Sequence, residues 1–298
     1  MLEIKKFGAI DIGSNAIRLL ISNVVVKEGQ EPQFKKSSLV RVPIRLGADA
    51  FVSGIISEEN TIRMIDAIEA FKLLMKVHHV ERYKACATSA MREAKNGVEL
   101  VEKIFKETGV QIHIIGGKEE AAIISSTDLN ELIEGDSSYL YVDVGGGSTE
   151  FTVFSGGKII TSKSFKMGTV RLLNNKKAVN KEIFANVEKW VKKNTNGLKN
   201  LSLIGSGGNI NKLFKMSGRT EGKPISFIYL NAQYEFLKQM SYQERISELS
   251  LNPDRADVII PATKIYLSSM KWSGARKIYV PKIGLSDGII KSLYYNKL

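Results

Sequence analysis

Two stretches of this chain carry one pattern: an apolar, β-branched strand, an Asp at its end, a glycine turn and a second strand. The first runs from Phe7 through Asp11 and Gly13 to Val26. The second runs from Ser138 through Asp143, Gly145, Gly146, Gly147 and Ser148 to Glu150 and Phe154. Laid over one another, Asp11 falls on Asp143, Ile12 on Val144, Gly13 on Gly145, and Leu19–Ile21 on Phe151–Val153. Each pair of flanks predicts a β-hairpin. So distant a repeat is unlike a solenoid period. It points to two similar domains, each opening with an Asp-x-Gly hairpin, whose turns are able to face one another across a cleft that holds one ligand.

The second turn carries the chemistry. Three consecutive glycines leave backbone N–H groups uncovered by any Cβ, and they permit the positive φ that lets such groups converge on an anion. Asp143 and Glu150 stand at the two ends of the turn. Amide donors for a phosphate between two oxygen ligands for a hard cation make a metal–phosphate pattern. An ordinary hairpin turn is the alternative, and the two acids with Ser148 weigh against it.

At 298 residues the chain is long for one small domain and sufficient for two. Cys86, the single cysteine, lies in the apolar run Tyr83–Ala87, so no disulfide framework exists and a buried strand thiol is expected. The N-terminal stretch has no long apolar segment, which makes the cytoplasm the expected location and a membrane role unexpected. Formal net charge is +12, and it is uneven. Between Lys158 and Lys199 eleven basic residues stand against Glu182 and Glu188. That excess suits a polyanion, whereas no aromatic–basic interleaving marks a specific nucleic-acid platform.

Elsewhere the chain alternates helix and strand signals. Ser57 caps a helix whose predicted apolar face is Ile62, Ile65, Ile68, Phe71, Leu74 and Met75. Gly116 and Gly117 turn into a helix that carries Glu119 and Glu120 in its first turn. There the acids serve either the helix dipole or a cleft. Leu201–Ile204 enters Gly205–Gly208 and another helix, whose N-terminus is able to hold a phosphate. Tyr229–Leu249 is expected to be helical. No histidine cluster and no Walker motif occurs, so zinc hydrolysis and P-loop chemistry are not expected.

Taken in order, Asp11–Arg18, Arg45–Gly47, Ala87–Ala94, Glu119–Ala121, Asp143–Glu150, Met167–Leu172, Gly205–Gly208, Arg255–Asp257 and Gly284–Leu285 resemble the exopolyphosphatase/guanosine pentaphosphate phosphohydrolase (Ppx/GppA) family, in its short two-domain form. The resemblance implies an α/β architecture of two ribonuclease-H-like domains, of the actin/sugar kinase/Hsp70 superfamily, flanking a cleft. The first would span residues 1–126 and the second 127–284, with the last helix, about 285–298, packing back on the first.

It further implies that Glu120 is the base that activates water. Mg²⁺ would be held by Asp143 and Glu150, with Asp11 opposite. Gly145, Gly146, Gly147 and Ser148 would cradle the terminal phosphate, Asn15 and Arg92 would contact substrate phosphates, and Gly207 and Gly208 would close the cleft. The implied substrates are linear polyphosphate or a phosphorylated guanosine nucleotide such as guanosine pentaphosphate, and the implied assembly is a homodimer. The chemistry is coherent: a glutamate, with an ordinary pKa of about 4.3, is ionised at neutral pH and can accept the proton of attacking water. A non-catalytic polyphosphate or alarmone sensor, and an ATP-dependent kinase or ATPase of the same superfamily, are the alternatives. Departures from the family pattern are Ala16 in place of a hydroxyl residue, Gly116–Lys118 before the paired glutamates, and Ser286-Asp287 after Gly284-Leu285. The C-terminal helical region of longer members is not present in this sequence, which predicts a preference for shorter polymers.

Overall fold

The computed structural model describes residues 2–125, 127 and 137–297. The chain divides into two compact units, one of Met1–Thr127 with Leu285–Leu298 and the other of Asp128–Gly284. The boundary region expected near residues 126–135 lies, apart from Thr127, outside the described residues.

In the first unit, β1 (Leu2–Ile12), β2 (Ile17–Lys27) and β3 (Gln33–Val42) form an antiparallel meander. Helices α1 (Leu46–Ala50) and α2 (Glu58–Val77) precede β4 (Arg82–Ala87). After it come α3 (Ser89–Glu93), α4 (Gly97–Thr108), β5 (Ile112–Ile114) and α5 (Gly117–Ser125). The sheet order is β3-β2-β1-β4-β5, with β4 parallel to β1 and β5 parallel to β4. Successive strand residues point to opposite faces, yet Ala9 and Ile10, and Leu19, Leu20 and Ile21, are all buried. Burial of neighbours requires cover on both faces, which explains why these strands read as near-continuous apolar runs.

Helix α2 starts where expected. The Ser57 hydroxyl accepts from the Asn60 amide at 3.3 Å, and the Asp49 carboxylate holds the Ser57 amide, its hydroxyl and the Asn60 side chain. Its buried face differs from the expected one. Met64, Ala67, Ile68, Phe71 and Met75 turn inward, while Ile62 is 52% exposed, because the stripe is centred on Met64 and Ala67, which the expected face leaves out.

The second unit repeats the plan. β6 (Ser138–Val144), β7 (Thr149–Ser155) and β8 (Lys158–Phe165) form the meander, followed by α6 (Thr169–Asn174), α7 (Lys177–Thr195), β9 (Leu201–Ser206) and α8 (Gly208–Met216). Then come β10 (Ile225–Ser226), α9 (Phe227–Gln239), α10 (Tyr242–Ser247), α11 (Pro253–Ala256), α12 (Ile259–Ser273) and β11 (Lys277–Tyr279). The order β8-β7-β6-β9-β11 reproduces that of the first sheet, and β10 adds an antiparallel edge. Both units therefore have the ribonuclease-H-like strand order that the family resemblance implied.

One expected helix, Tyr229–Leu249, is two. Ser241 breaks it with a reciprocal cap: its hydroxyl accepts from the Glu244 amide at 3.2 Å, and its own amide donates to the Glu244 carboxylate at 2.6 Å. Trp190 is half-buried against Phe151 and Phe165 at the edge of the core. No helix among the described residues is long and apolar enough to cross a membrane.

The last helix, α13 (Leu285–Tyr294), belongs to the first unit and lies on β1 and α5. It buries Leu285, Ile289, Ile290 and Leu293, and Tyr294 meets Phe7 and Phe34 edge to face. Asp287 pairs with Lys36 at 2.8 Å, which gives a structural use to one departure from the family pattern. A Cβ at Gly288 would sit 2.2 Å from the Ile123 carbonyl oxygen of α5. Gly288→Ala is therefore expected to destabilise the first unit by about 1–3 kcal/mol in urea unfolding followed by circular dichroism. An unchanged midpoint would contradict the close packing of α13 on α5.

Candidate functional site

The two hairpins match residue for residue. In the first, Asp11 pairs in register with Arg18, Ile12 with Ile17, and the Gly13 amide donates to the Ala16 carbonyl at 3.1 Å. In the second, Asp143 pairs with Glu150, Val144 with Thr149, and the Gly145 amide donates to the Ser148 carbonyl at 3.0 Å. The decisive difference is at one position. Where β2 carries Arg18, whose guanidinium lies 3.4 Å from Asp11, β7 carries Glu150. The second hairpin thus sets two carboxylates directly opposite one another on one face of an antiparallel pair, an unfavourable arrangement unless protons, donors or a cation intervene. Part of the answer is local: Glu150, 2% exposed, accepts from the Ser148 hydroxyl at 2.7 Å and the Ser164 hydroxyl at 2.8 Å.

The triple-glycine turn is anchored by its carbonyls. Gly145 O accepts from Thr169 N, Gly146 O from Val170 N and Arg171 N, and Gly147 O from Arg171 Nε, at 2.9–3.1 Å. The start of α6 and one guanidinium thus hold all three carbonyls. The amides of Gly146, Gly147 and Ser148 make no backbone hydrogen bond among the described residues. The Ser148 hydroxyl is engaged with Glu150, so the backbone amide is what Ser148 has to offer an anion. None of Gly145, Gly146 and Gly147 has a positive φ, contrary to the expectation from their sequence. Close approach tells at two positions: a Cβ on Gly145 would lie 3.2 Å from Ser148 O, and one on Gly168, in the facing segment, would lie 2.2 Å from Gly146 O.

The left-handed glycine of the site is Gly207, at φ 119°, between β9 and α8. A Cβ there would lie 3.0 Å from Val144 O, 3.3 Å from the Tyr266 hydroxyl and 3.6 Å from the Asp143 carboxylate. The Arg255 guanidinium approaches Gly208, 3.2 Å from the site of its missing Cβ. Gly207 and Gly208 therefore lie beside the Asp143 end of the triple-glycine turn, and α8 points its N-terminus from there. Arg171, Ser164, Arg255 and Tyr266 had no role assigned from sequence. Arg171 was signalled by its place after Gly168; the others are brought in by strand order and by helices far along the chain.

In the first unit Asp11 lies near the end of β1, and Glu119 and Glu120 lie in the first turn of α5. The buried Cys86 thiol is pushed up to about 12, chiefly by desolvation, with the charges of Asp11, Glu119 and Glu120 adding to it. Burial also raises Asp11 above the ordinary carboxylate range, and Arg18 offsets this only in part. Of the paired glutamates, Glu119 is exposed and Glu120 is 8% exposed. Arg92, half-buried, donates through Nη1 to Ile115 O at 2.6 Å, gripping the strand end from which Gly116 and Gly117 lead into α5. Asn15 lies in the first turn, where its carbonyl accepts from the Arg45 amide at 3.1 Å. Ala16 is buried and closes that turn through its carbonyl.

A family model described as the Ppx/GppA phosphatase family matches residues 24–297. The chain belongs to that family. The matched span begins after the first hairpin turn, so the Asp11–Arg18 motif rests on its own likeness to the Asp143–Glu150 hairpin. A bifunctional 3-dehydroquinate synthase/phosphatase of Fusobacterium nucleatum is 30% identical over 300 residues, covering 91% of this chain and 44% of that one. Exopolyphosphatase 2 of Mycobacterium tuberculosis is 30% identical over 176 residues, covering 57% of this chain and 54% of that one. The chain thus spans about half the length of these relatives. The crystal structure of an exopolyphosphatase from Cytophaga hutchinsonii aligns with a TM-score of 0.86 at 24% identity, covering 98% of both chains, a likeness of fold.

Because the turn packs backbone to backbone on the start of α6, Gly168→Ala is expected to lift it. Amide hydrogen exchange at residues 145–148 should quicken, with a stability loss of about 1–3 kcal/mol. Exchange equal to that of the parent would show that the carbonyl anchors survive and the close approach is not needed.

Proposed function

We propose that this chain is a Mg²⁺-dependent phosphohydrolase that releases orthophosphate from the end of linear polyphosphate, with guanosine pentaphosphate as a second substrate. The observation that carries this is the β6–β7 turn. Its carbonyls are tied back onto α6, its successive amides are left for an anion, and two opposed carboxylates stand at its base. Family membership and the exopolyphosphatase relatives support the same reading.

Each unit contributes distinct groups. From the second, the amides of Gly146, Gly147 and Ser148 and the N-terminus of α8 behind Gly207 and Gly208 donate to phosphoryl oxygens, the positioning that phosphoryl transfer chiefly asks of a protein. Asp143 and Glu150 fit Mg²⁺ chemically. Among the described residues no group of three or more His, Cys, Asp or Glu is gathered to hold a metal. Mg²⁺, however, is commonly held by one or two carboxylates with water and substrate phosphates completing its shell. Asp11 is the further ligand in this proposal. When bound, the ion neutralises charge on the phosphate oxygens.

From the first unit, Glu120 accepts the proton of the attacking water as its oxygen bonds to the terminal phosphorus and the bridging oxygen leaves on the shortened polymer. Asn15 and the donors of Arg92 not given to Ile115 bind phosphate oxygens. The exposed lysines of β8 and α7 attract the rest of the polyanion.

The test is phosphate release by purified protein from polyphosphate and from guanosine pentaphosphate, with Mg²⁺ and after its removal by EDTA. Release that needs Mg²⁺ is expected, and binding without release would overturn the proposal in favour of a sensor. Glu120→Gln should fold as the parent does and lose about 10²–10⁴ in turnover. Retention of most of the activity in that variant would dispose of Glu120 as the base.

A further inference from the structure

Asp143 and Glu150 belong to a row of four residues in register across the second sheet: Ser206 on β9, Asp143 on β6, Glu150 on β7 and Ser164 on β8. The equivalent row of the first sheet is Cys86, Asp11, Arg18 and Arg41. There two arginines follow the aspartate. In the second sheet two acids stand between two serines, so hydroxyls are the only side-chain donors the row itself contains. The two serines act differently. Ser206 gives its hydroxyl to Ile283 O at 2.7 Å. Ser164 donates to Glu150 Oε1 at 2.8 Å, and Ser148 donates to the same oxygen at 2.7 Å. One carboxylate oxygen is thus held from the turn and from the edge strand at once. The next rung on that face, Thr152 with Ser162, joins hydroxyl to hydroxyl at 3.0 Å and ties β8 to β7 beside it.

We propose that Ser164 is a positioning residue that, with Ser148, fixes the Glu150 carboxylate in the orientation that binds a divalent cation. The inference deepens the proposed function and rests on its Mg²⁺ site. A glutamate side chain gives up much rotamer freedom when it is ordered. Two donors on Oε1, in a residue only 2% exposed, restrict that freedom before any ion arrives. Outer partners of this kind orient a ligating carboxylate, and their loss typically costs about 10–100-fold in metal affinity. A guanidinium at position 164, such as Arg41 has in the first sheet, would supply the positive charge itself. A hydroxyl there orients Glu150 without neutralising it. Ser164 is also the cleaner of the two serines to change, because it lies outside the turn whose amides are assigned to phosphate.

The test uses Mn²⁺, which takes the same oxygen ligands as Mg²⁺. It is titrated into the purified full chain without substrate, and the free ion is followed by electron paramagnetic resonance. Ser164→Ala is expected to weaken Mn²⁺ binding about 10–100-fold. Ser164→Thr, which keeps a hydroxyl and suits a strand, should restore most of it. In phosphate release from polyphosphate by Ser164→Ala, the Mg²⁺ concentration for half-maximal rate should rise by a similar factor, with little change in the KM for polyphosphate at saturating Mg²⁺. A Ser164→Ala protein that binds Mn²⁺ as the parent does overturns the proposal, even if its melting temperature falls. So does a Ser164→Thr protein that binds as weakly as Ser164→Ala. A parent that binds Mn²⁺ yet releases phosphate from neither polyphosphate nor guanosine pentaphosphate overturns the phosphohydrolase reading instead, and the Mn²⁺ titration still decides the role of Ser164.

Discussion

Opposed carboxylates on an antiparallel pair repel, and a protein keeps such a pair only where something else neutralises it. Asp143 and Glu150 stand in that relation, and the parts around them are arranged accordingly. Two serine hydroxyls, one from the turn and one from the edge strand β8, donate to Glu150. A row of amides lies between the two acids in sequence, and a second glycine turn with a helix N-terminus adjoins Asp143. The first hairpin supplies an internal control. With Arg18 at the matching position the same geometry is an ion pair. One residue type thus separates a self-neutralised hairpin from one that demands positive partners.

Gly168 is explained by contact, whereas Gly207 is explained by both contact and conformation. α6 approaches the triple-glycine turn so closely that backbone meets backbone, and Gly168 is the residue that permits it. The approach uses up the turn's carbonyls and so fixes the direction in which its amides point. What the turn presents is not a property of three glycines by themselves; it is imposed by the helix that follows β8.

The hairpins, the doubled architecture and the glycine turns were legible because β-branched runs, Asp at a strand end and clustered glycines act locally. The same locality placed Ser57 as a cap. What was not legible depends on tertiary partners. The stripe of α2 was misread at Ile62 because Met64 and Ala67, weaker hydrophobic signals, take the inward positions. The break at Ser241 inside an apparently continuous helix depends on its reciprocal cap with Glu244. A serine followed three residues later by a glutamate was visible there, but the helical periodicity on either side masked it. Tyr266 and Ser164 reach the site through packing between elements distant in sequence, which no local pattern marks.

The first unit is closed by a helix encoded after the whole of the second. Until α13 is available, the apolar face of β1 lined by Phe7 and Ala9, and the Ile123 backbone against which Gly288 nests, have no cover. On the ribosome the later unit therefore has every one of its strands before the earlier one is complete. The cover of the first sheet is thus the last element to be synthesised, after every strand of both units.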